Sequence, residues 1–186
     1  MGYINKGYTM NKRVIITGST GMVGKGVLLE CLNHKNIDSV LTINRTPLKL
    51  SHPKLKEVIH KDFYNFQSIE TLFKDYHACF HCMGVSSFGL TESEYFNYTY
   101  VITKSLAKSL YSTNKSIILT YVSGTGTDSS ESGKLMWARI KGKTENMLLN
   151  YNFSSTYLFR PNIIIPEKNV KPKVFWINLI YTLLKP

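Results

Sequence analysis

Residues 14–26 read "VIITGSTGMVGKG". Val14, Ile15, Ile16 and Thr17 are all β-branched, and such a run predicts a buried strand. The strand stops at glycine, and residues 22–33, "MVGKGVLLECLN", then carry apolar side chains at helical spacing. Between strand and helix, Gly18, Gly21 and Gly24 form G-x-x-G-x-x-G. Gly18 allows the tight turn, Gly21 lets the backbone approach a pyrophosphate, and Gly24 lets the helix pack close to the sheet. The helix N-terminus offers free N–H groups and the positive end of its dipole to phosphates. Ser19 and Thr20 add hydroxyl donors, so Gly18, Ser19, Thr20, Gly21, Met22, Val23 and Gly24 together are the expected cradle. A glycine triplet alone is a weak signal, but one set between a clear strand and a clear helix is strong.

The same alternation continues outward. "SVLTIN" (39–44), "KEVIH" (56–60), "ACFHCM" (78–83), "SIILTYVS" (116–123) and "STYLFR" (155–160) read as strands. "IETLFK" (69–74) reads as a short helix, and "ESEYFNYTYVITKSLAKSLYS" (92–112) and "KLMWARIKGKTENMLLNY" (134–151) as long ones. Short apolar strands alternating with helices predict an α/β fold. The expected form is a Rossmann-like, doubly wound parallel sheet with helices on both faces. Residues 1–11 are polar and read as a flexible leader, and residues 12–186 as a single dinucleotide-binding domain. Within it, residues 163–186 form a short C-terminal, substrate-side segment. Its "KVFWINLIYTLLK" (173–185) is apolar at helical spacing, which suits packing on the core or an interface better than lying on a membrane. The abrupt stop at Lys185-Pro186 reads as a tail cut short.

Composition narrows the function. The 186 residues are 43% apolar, ordinary for a globular chain of this size. There is no signal peptide and no run of roughly 20 apolar residues, so the expected address is cytoplasmic, without an integral membrane segment. Three cysteines, Cys31, Cys79 and Cys82, fit a reducing compartment. The net charge of +11 favours anionic partners, yet the lysines are scattered and no nucleic-acid motif accompanies them. Nucleic acid is therefore not the expected partner.

Strand two decides which dinucleotide is favoured. Sites for NAD usually end that strand with an acidic residue that holds the ribose hydroxyls. Here "LTINRTP" (41–47) ends in Asn44 and Arg45. A guanidinium suits a 2′-phosphate, so the sequence favours NADP(H) over NAD(H). The alternative reading of Arg45 is a surface-loop arginine.

Taken jointly, "TGSTGMVG" (17–24), "NRTP" (44–47), "KDF" (61–63), "CMGVS" (82–86), "YVSGTGTD" (121–128), "WARIKGKTE" (137–145) and "FRP" (159–161) resemble the short-chain dehydrogenase/reductase superfamily. The likeness is to its small atypical, epimerase-like members, similar to the HIV-Tat-interacting-protein type of oxidoreductase, and it covers roughly residues 12–165. This resemblance implies roles. Asp62 and Phe63 would sit by the adenine, and Met83 and Gly84 by the adenosine ribose. Ser123 matches the serine that hydrogen-bonds a substrate oxygen, and Lys141 the lysine that holds the nicotinamide ribose. Arg160, Pro161 and Asn162 would lie near the nicotinamide. Helices 92–112 and 134–151 would be the faces of a homodimer.

Trp137 departs from that pattern. Carbonyl-reducing members have at this point a tyrosine that donates a proton, its pKa lowered by the neighbouring lysine. An indole N–H donates hydrogen bonds but keeps its proton near neutral pH. Trp137 shares a helical face with Lys141 and is placed to stack on a flat ligand or close the pocket. Tyr121, two residues before Ser123, is a weaker substitute donor. Two readings therefore stay open: an NADP(H)-dependent oxidoreductase or epimerase-like enzyme on a small organic substrate, and a dinucleotide-binding regulator or scaffold without turnover. No metal site is expected. "CFHC" (79–82) sets its cysteines on opposite faces of a strand, and His52 and His60 read as surface residues, with His81 packed in or beside strand four.

Overall fold

The computed structural model describes residues 11–165. The segment expected to dock at 173–185 lies outside the described residues, as do all of the leader but residue 11 and most of the C-terminal segment. Six strands, β1 (Lys12–Thr17), β2 (Ile37–Asn44), β3 (Leu55–Ile59), β4 (Ala78–His81), β5 (Ile118–Val122) and β6 (Ser155–Phe159), form one sheet. Its order is β3-β2-β1-β4-β5-β6, and every neighbouring pair is parallel. That order reverses direction between β1 and β4, the crevice where ligands of such sheets bind.

The two sides of β1 show why both faces are covered. Val14 and Ile16 point toward α1 (Met22–Asn33) and pack with Leu28, Cys31, Leu32 and Val40. Ile15 points the other way, into a larger core with Leu41, Ile43, Phe66, Phe73, Leu106, Leu110, Leu119 and Leu148. The strand period of two thus feeds two cores from one run of aliphatic residues. The larger core lies under α3 (Ile102–Thr113) and α4 (Met136–Leu149), which supply Leu106, Leu110 and Leu148.

Two elements differ from the sequence expectation. The segment read as a short helix at 69–74 is a 3-10 helix, Gln67–Phe73, which drives Phe73 fully into the core. The long helix 92–112 is interrupted. α2 (Glu92–Phe96) starts with a capping box, Thr91 and Glu94 bonding each other's backbone N–H. A π turn, Asn97–Val101, then carries the chain into α3. Such one-turn widenings inside helices are often found at functional sites.

His60 corrects another expectation. It is buried rather than superficial: Nε2 lies 2.8 Å from the Asn65 carbonyl, and the ring packs against Phe63 and Phe66. His52 is half-buried, its Nδ1 accepting from Lys54 N–H.

His81, at the end of β4, is only 1% exposed and stacks on Tyr121 at 5.6 Å. Its tautomer follows from its neighbours. Thr103 Oγ1 donates to the Thr99 carbonyl at 2.6 Å, so it can only accept from His81 Nε2–H, 2.9 Å away. Nδ1 is then bare and accepts from Thr17 Oγ1 at 2.6 Å. Burial lowers this imidazole's pKa to about 4. Above the ordinary value of 6.5 both folded and unfolded states are neutral, and the site carries no penalty. As pH falls from about 6.5 to about 4, the unfolded chain takes up a proton that the folded one refuses. Urea midpoints measured across that window should fall, with His81 accounting for a loss of about 3 kcal/mol by its lower end. A His81→Gln variant should be less stable at neutral pH but show a shallower pH slope.

Candidate functional site

β1 delivers the chain to the carboxyl edge of the sheet at Thr17, and the turn that follows leaves no room for side chains. Gly18 has φ +75°, the left-handed region, and a Cβ there would lie 2.7 Å from both the Cys82 carbonyl carbon and Met83 N. Gly21 N–H donates to Gly18 O at 2.9 Å and closes the turn. A Cβ on Gly24 would stand 2.2 Å from that same Gly18 oxygen. Helix α1 therefore packs against the turn itself, a closer contact than the helix-to-sheet packing expected. Gly21 is extended, at φ −84° and ψ 168°, and no side chain caps the helix. The first N–H groups of α1 are thus the kind that an anion can satisfy.

Over this turn opens a cavity of about 390 Å³. It is lined by Gly18, Thr20, Gly21, Arg45, Lys61, Phe63, Tyr64, Cys82, Met83, Gly84, Val85, Tyr98 and Ile102. Seven of these, Gly18, Thr20, Gly21, Arg45, Phe63, Met83 and Gly84, were expected from sequence, and the carboxyl ends of β1, β2, β3 and β4 bring them together. The lining holds two cations, Arg45 and Lys61, and no carboxylate, which suits a phosphate-bearing ligand. Phe63 and Met83 supply apolar walls of the kind that accept a flat base.

Lys61, Tyr64, Cys82, Val85, Tyr98 and Ile102 were not anticipated. Tyr98 and Ile102 stand four apart on one helical face, which was readable. That this face turns to the cavity depends on the π turn, which was not.

Several expected residues point elsewhere. Ser19 Oγ donates to Asn44 Oδ1 at 2.7 Å, and Asn44 Nδ2 donates to Glu57 Oε1 at 2.9 Å. Both residues are buried, so the Ser19 hydroxyl and the Asn44 amide serve the fold rather than the cavity. Asp62 closes a turn, its Oδ1 accepting from Tyr64 N–H at 3.0 Å. It does not line the cavity. Arg160 is bound to Glu145 and to Ser129 Oγ. That ion pair, not an open position beside a nicotinamide, holds its side chain. Pro161 and Asn162 follow at the same edge, Pro161 O accepting from Thr125 N–H. Met22 and Val23 occupy the first turn of α1.

The second group gathers on the loop after β5. Trp137 and Lys141, one turn apart on α4, both reach over it. A Cβ on Gly126, which has φ +89°, would lie 3.2 Å from the Trp137 ring, so indole and loop are in close contact. Lys141 Nζ donates to the Ser123 carbonyl at 2.5 Å. Burial lowers the lysine's pKa, and the nearby Glu145 charge partly opposes this. Ser123 Oγ donates to Glu145 Oε1, also at 2.5 Å. Its proton is therefore directed inward, and serving a substrate oxygen would require it to turn. Tyr121 is removed as a proton donor: it is buried in the core against His81, and burial pushes its pKa up.

A larger cavity, about 730 Å³, opens among the strand starts near Arg13 and His77. Arg13 is already paired with Asp75, and the strands' amino ends are not where such sheets bind ligands. Cys79 is fully buried in the core, while Cys82 lies just past the end of β4. Burial raises the pKa of both thiols, Cys82 to about 12, so neither is a ready nucleophile. Among the described residues no group of three His, Cys, Asp or Glu side chains is arranged to hold a metal ion, and no helix is long and apolar enough to cross a membrane.

Comparison with known proteins agrees with this geometry. The profile of the NAD dependent epimerase/dehydratase family matches residues 14–134. Protein FMP52, mitochondrial, of Meyerozyma guilliermondii is 27% identical over 174 residues, 90% of this chain and 72% of the relative. Among solved structures, a short-chain dehydrogenase of Burkholderia cenocepacia in complex with NADP superposes with a TM-score of 0.68 at 16% identity, over 96% of this chain and 86% of that one. UDP-glucuronic acid 4-epimerase of Bacillus cereus in complex with NAD gives 0.64 at 16% identity, over 81% of this chain. The chain spans only 56% of that epimerase's length.

The Glu145–Arg160 pair is asymmetric. Glu145 is 1% exposed, whereas the Arg160 side chain is 41% exposed. Arg160→Ala should strand a buried carboxylate and lower the unfolding free energy by about 3 kcal/mol. Glu145→Gln leaves a guanidinium that water can reach and keeps the hydrogen-bonding shape, so its cost should be nearer about 1 kcal/mol. Equilibrium urea unfolding of the two variants measures the difference.

Proposed function

The chain belongs to the NAD dependent epimerase/dehydratase family, and we propose that it binds NADP(H) over the Gly18–Gly24 turn and serves as an oxidoreductase or epimerase-like enzyme on a small organic substrate. The observation that carries this reading is the cavity that joins Gly18, Thr20 and Gly21 to Arg45 and Lys61. Backbone that a Cβ would block, an uncapped helix start and two cations are what a dinucleotide's phosphates require. When bound, the nicotinamide supplies or accepts hydride. The chain's own residues bind and orient it. Thr20 and the start of α1 would hold the pyrophosphate, Arg45 the 2′-phosphate, and Phe63, Met83 and Gly84 the adenosine. Lys141, which reaches from α4 over the loop after β5, is the group that would hold the nicotinamide ribose. Its ammonium has three donors, and the Ser123 carbonyl takes one.

Trp137 favours a second reading, a dinucleotide-binding regulator without turnover. Tyr121, the substitute donor weighed from the sequence, is enclosed in the core. General acid catalysis is worth about 10²–10⁴-fold, so its loss leaves a slow reductase rather than none. We propose a cytoplasmic address for this chain, while the name of the Meyerozyma guilliermondii relative calls that protein mitochondrial.

Two measurements test the reading. Titration by intrinsic fluorescence should show NADPH binding more tightly than NADH. Arg45→Ala should weaken NADPH by about 10-fold or more through the lost charge-assisted contact, and leave NADH unchanged. Equal affinity of the two cofactors in the wild type would remove the NADP(H) preference. Against a panel of aldehydes and ketones, Trp137→Tyr should raise NADPH oxidation by about 10²-fold. Cofactor binding with no oxidation in either protein would favour the regulator.

A further inference from the structure

Arg45 sits on a segment that has left the sheet. β2 ends at Asn44, and residues 45–47 are exposed. Pro47 brings no N–H to anchor the bend. The next N–H, that of Leu48, donates to Glu57, at 3.0 Å to Oε1 and 3.3 Å to Oε2. Glu57 stands on the edge strand β3, opposite Thr42. The same carboxylate accepts from Asn44 Nδ2, and Asn44 in turn accepts from Ser19 Oγ. Four groups thus form a continuous chain: Ser19 hydroxyl, Asn44 amide, Glu57 carboxylate, Leu48 backbone. It runs from the glycine turn to the far end of the segment that bears Arg45. Asn44, 3% exposed, holds the middle in place.

Resting on the NADP(H) reading above, we infer that Glu57 is a positioning residue for cofactor discrimination: its carboxylate clamps residues 44–48 so that Arg45 stands at the cavity wall before ligand arrives. Two effects of the carboxylate oppose each other. Its negative charge repels a 2′-phosphate, and on that ground alone its removal would tighten NADPH binding. It is exposed, however, so water and salt screen the repulsion. The clamp removes the need to order the Arg45 segment on binding, and ordering one long side chain weakens affinity by about three- to tenfold. Positioning therefore prevails, and the sign of the change separates the two effects.

The experiment measures NADPH and NADH dissociation constants for wild type, Glu57→Ala, Glu57→Gln and Arg45→Ala, and for Glu57→Ala combined with Arg45→Ala. Glu57→Ala should weaken NADPH about three- to tenfold and change NADH by less than about twofold, the steady NADH value serving as the check on folding. Glu57→Gln keeps an acceptor for Leu48 N–H and should retain most of the preference. In the Arg45→Ala background, Glu57→Ala should have no further effect on NADPH, since its action passes through Arg45. NADPH binding that is unchanged or tighter in Glu57→Ala, or weakened equally with and without Arg45, overturns the assignment. A wild type that does not distinguish the cofactors overturns the NADP(H) reading and the clamp with it, and the wild-type arm alone identifies that result.

Discussion

Helix α1 can begin where it does only because residue 24 has no side chain. Its backbone lies so close to the Gly18 carbonyl that a single methyl group would overlap that oxygen. This contact fixes the angle at which the helix leaves the sheet. The angle in turn aims the first N–H groups of α1 at the crevice between β1 and β4. On the far side, Gly18 lies against the backbone of Cys82 and Met83, so the turns after the two central strands are locked together. The outer parts of the site, Arg45 after β2 and Trp137 with Lys141 after β5, are built on this central contact.

Around it, polar side chains divide into two sets. Ser19, Asn44 and Glu57 bond to one another on one flank, and Ser123, Glu145 and Arg160 on the other. Both sets include residues whose chemistry suggests ligand contact, yet their hydrogen-bonding groups are taken up by one another. Burying such groups is tolerable only when they are paired, and here each finds a partner. The groups left facing the cavity are fewer and more basic. The geometry therefore favours an anion more strongly than the residue types alone suggest.

The alternation of strands and helices, the parallel sheet covered on both faces and the glycine turn were legible because they follow from periodicity and from glycine's special geometry. The boundaries of α1 were readable to the residue, since glycine marks its start and its last apolar residues mark its end. Met83 and Gly84 came from the family resemblance, whereas Arg45 was legible from its place just after β2. Side-chain commitments were not. Nothing local marks Asn44 as partnered by Glu57, because that contact crosses between strands thirteen residues apart. Nor does any local signal turn Arg160 toward Glu145. His60 looked superficial because its polar neighbours Lys61 and Asp62 hide the aromatic pocket that Phe63 and Phe66 make beneath them.

The π turn at Asn97–Val101 acts as a phase shifter. An α-helix advances about 100° per residue, so forcing that turn into α geometry with every residue kept would swing everything before it by about that angle relative to α3. Tyr98 lies inside the widened turn and forms part of the cavity wall, while Thr99 and Thr103 across it hold the imidazole of His81. The mouth of the cavity and the middle of the sheet are therefore kept in step by a single extra residue.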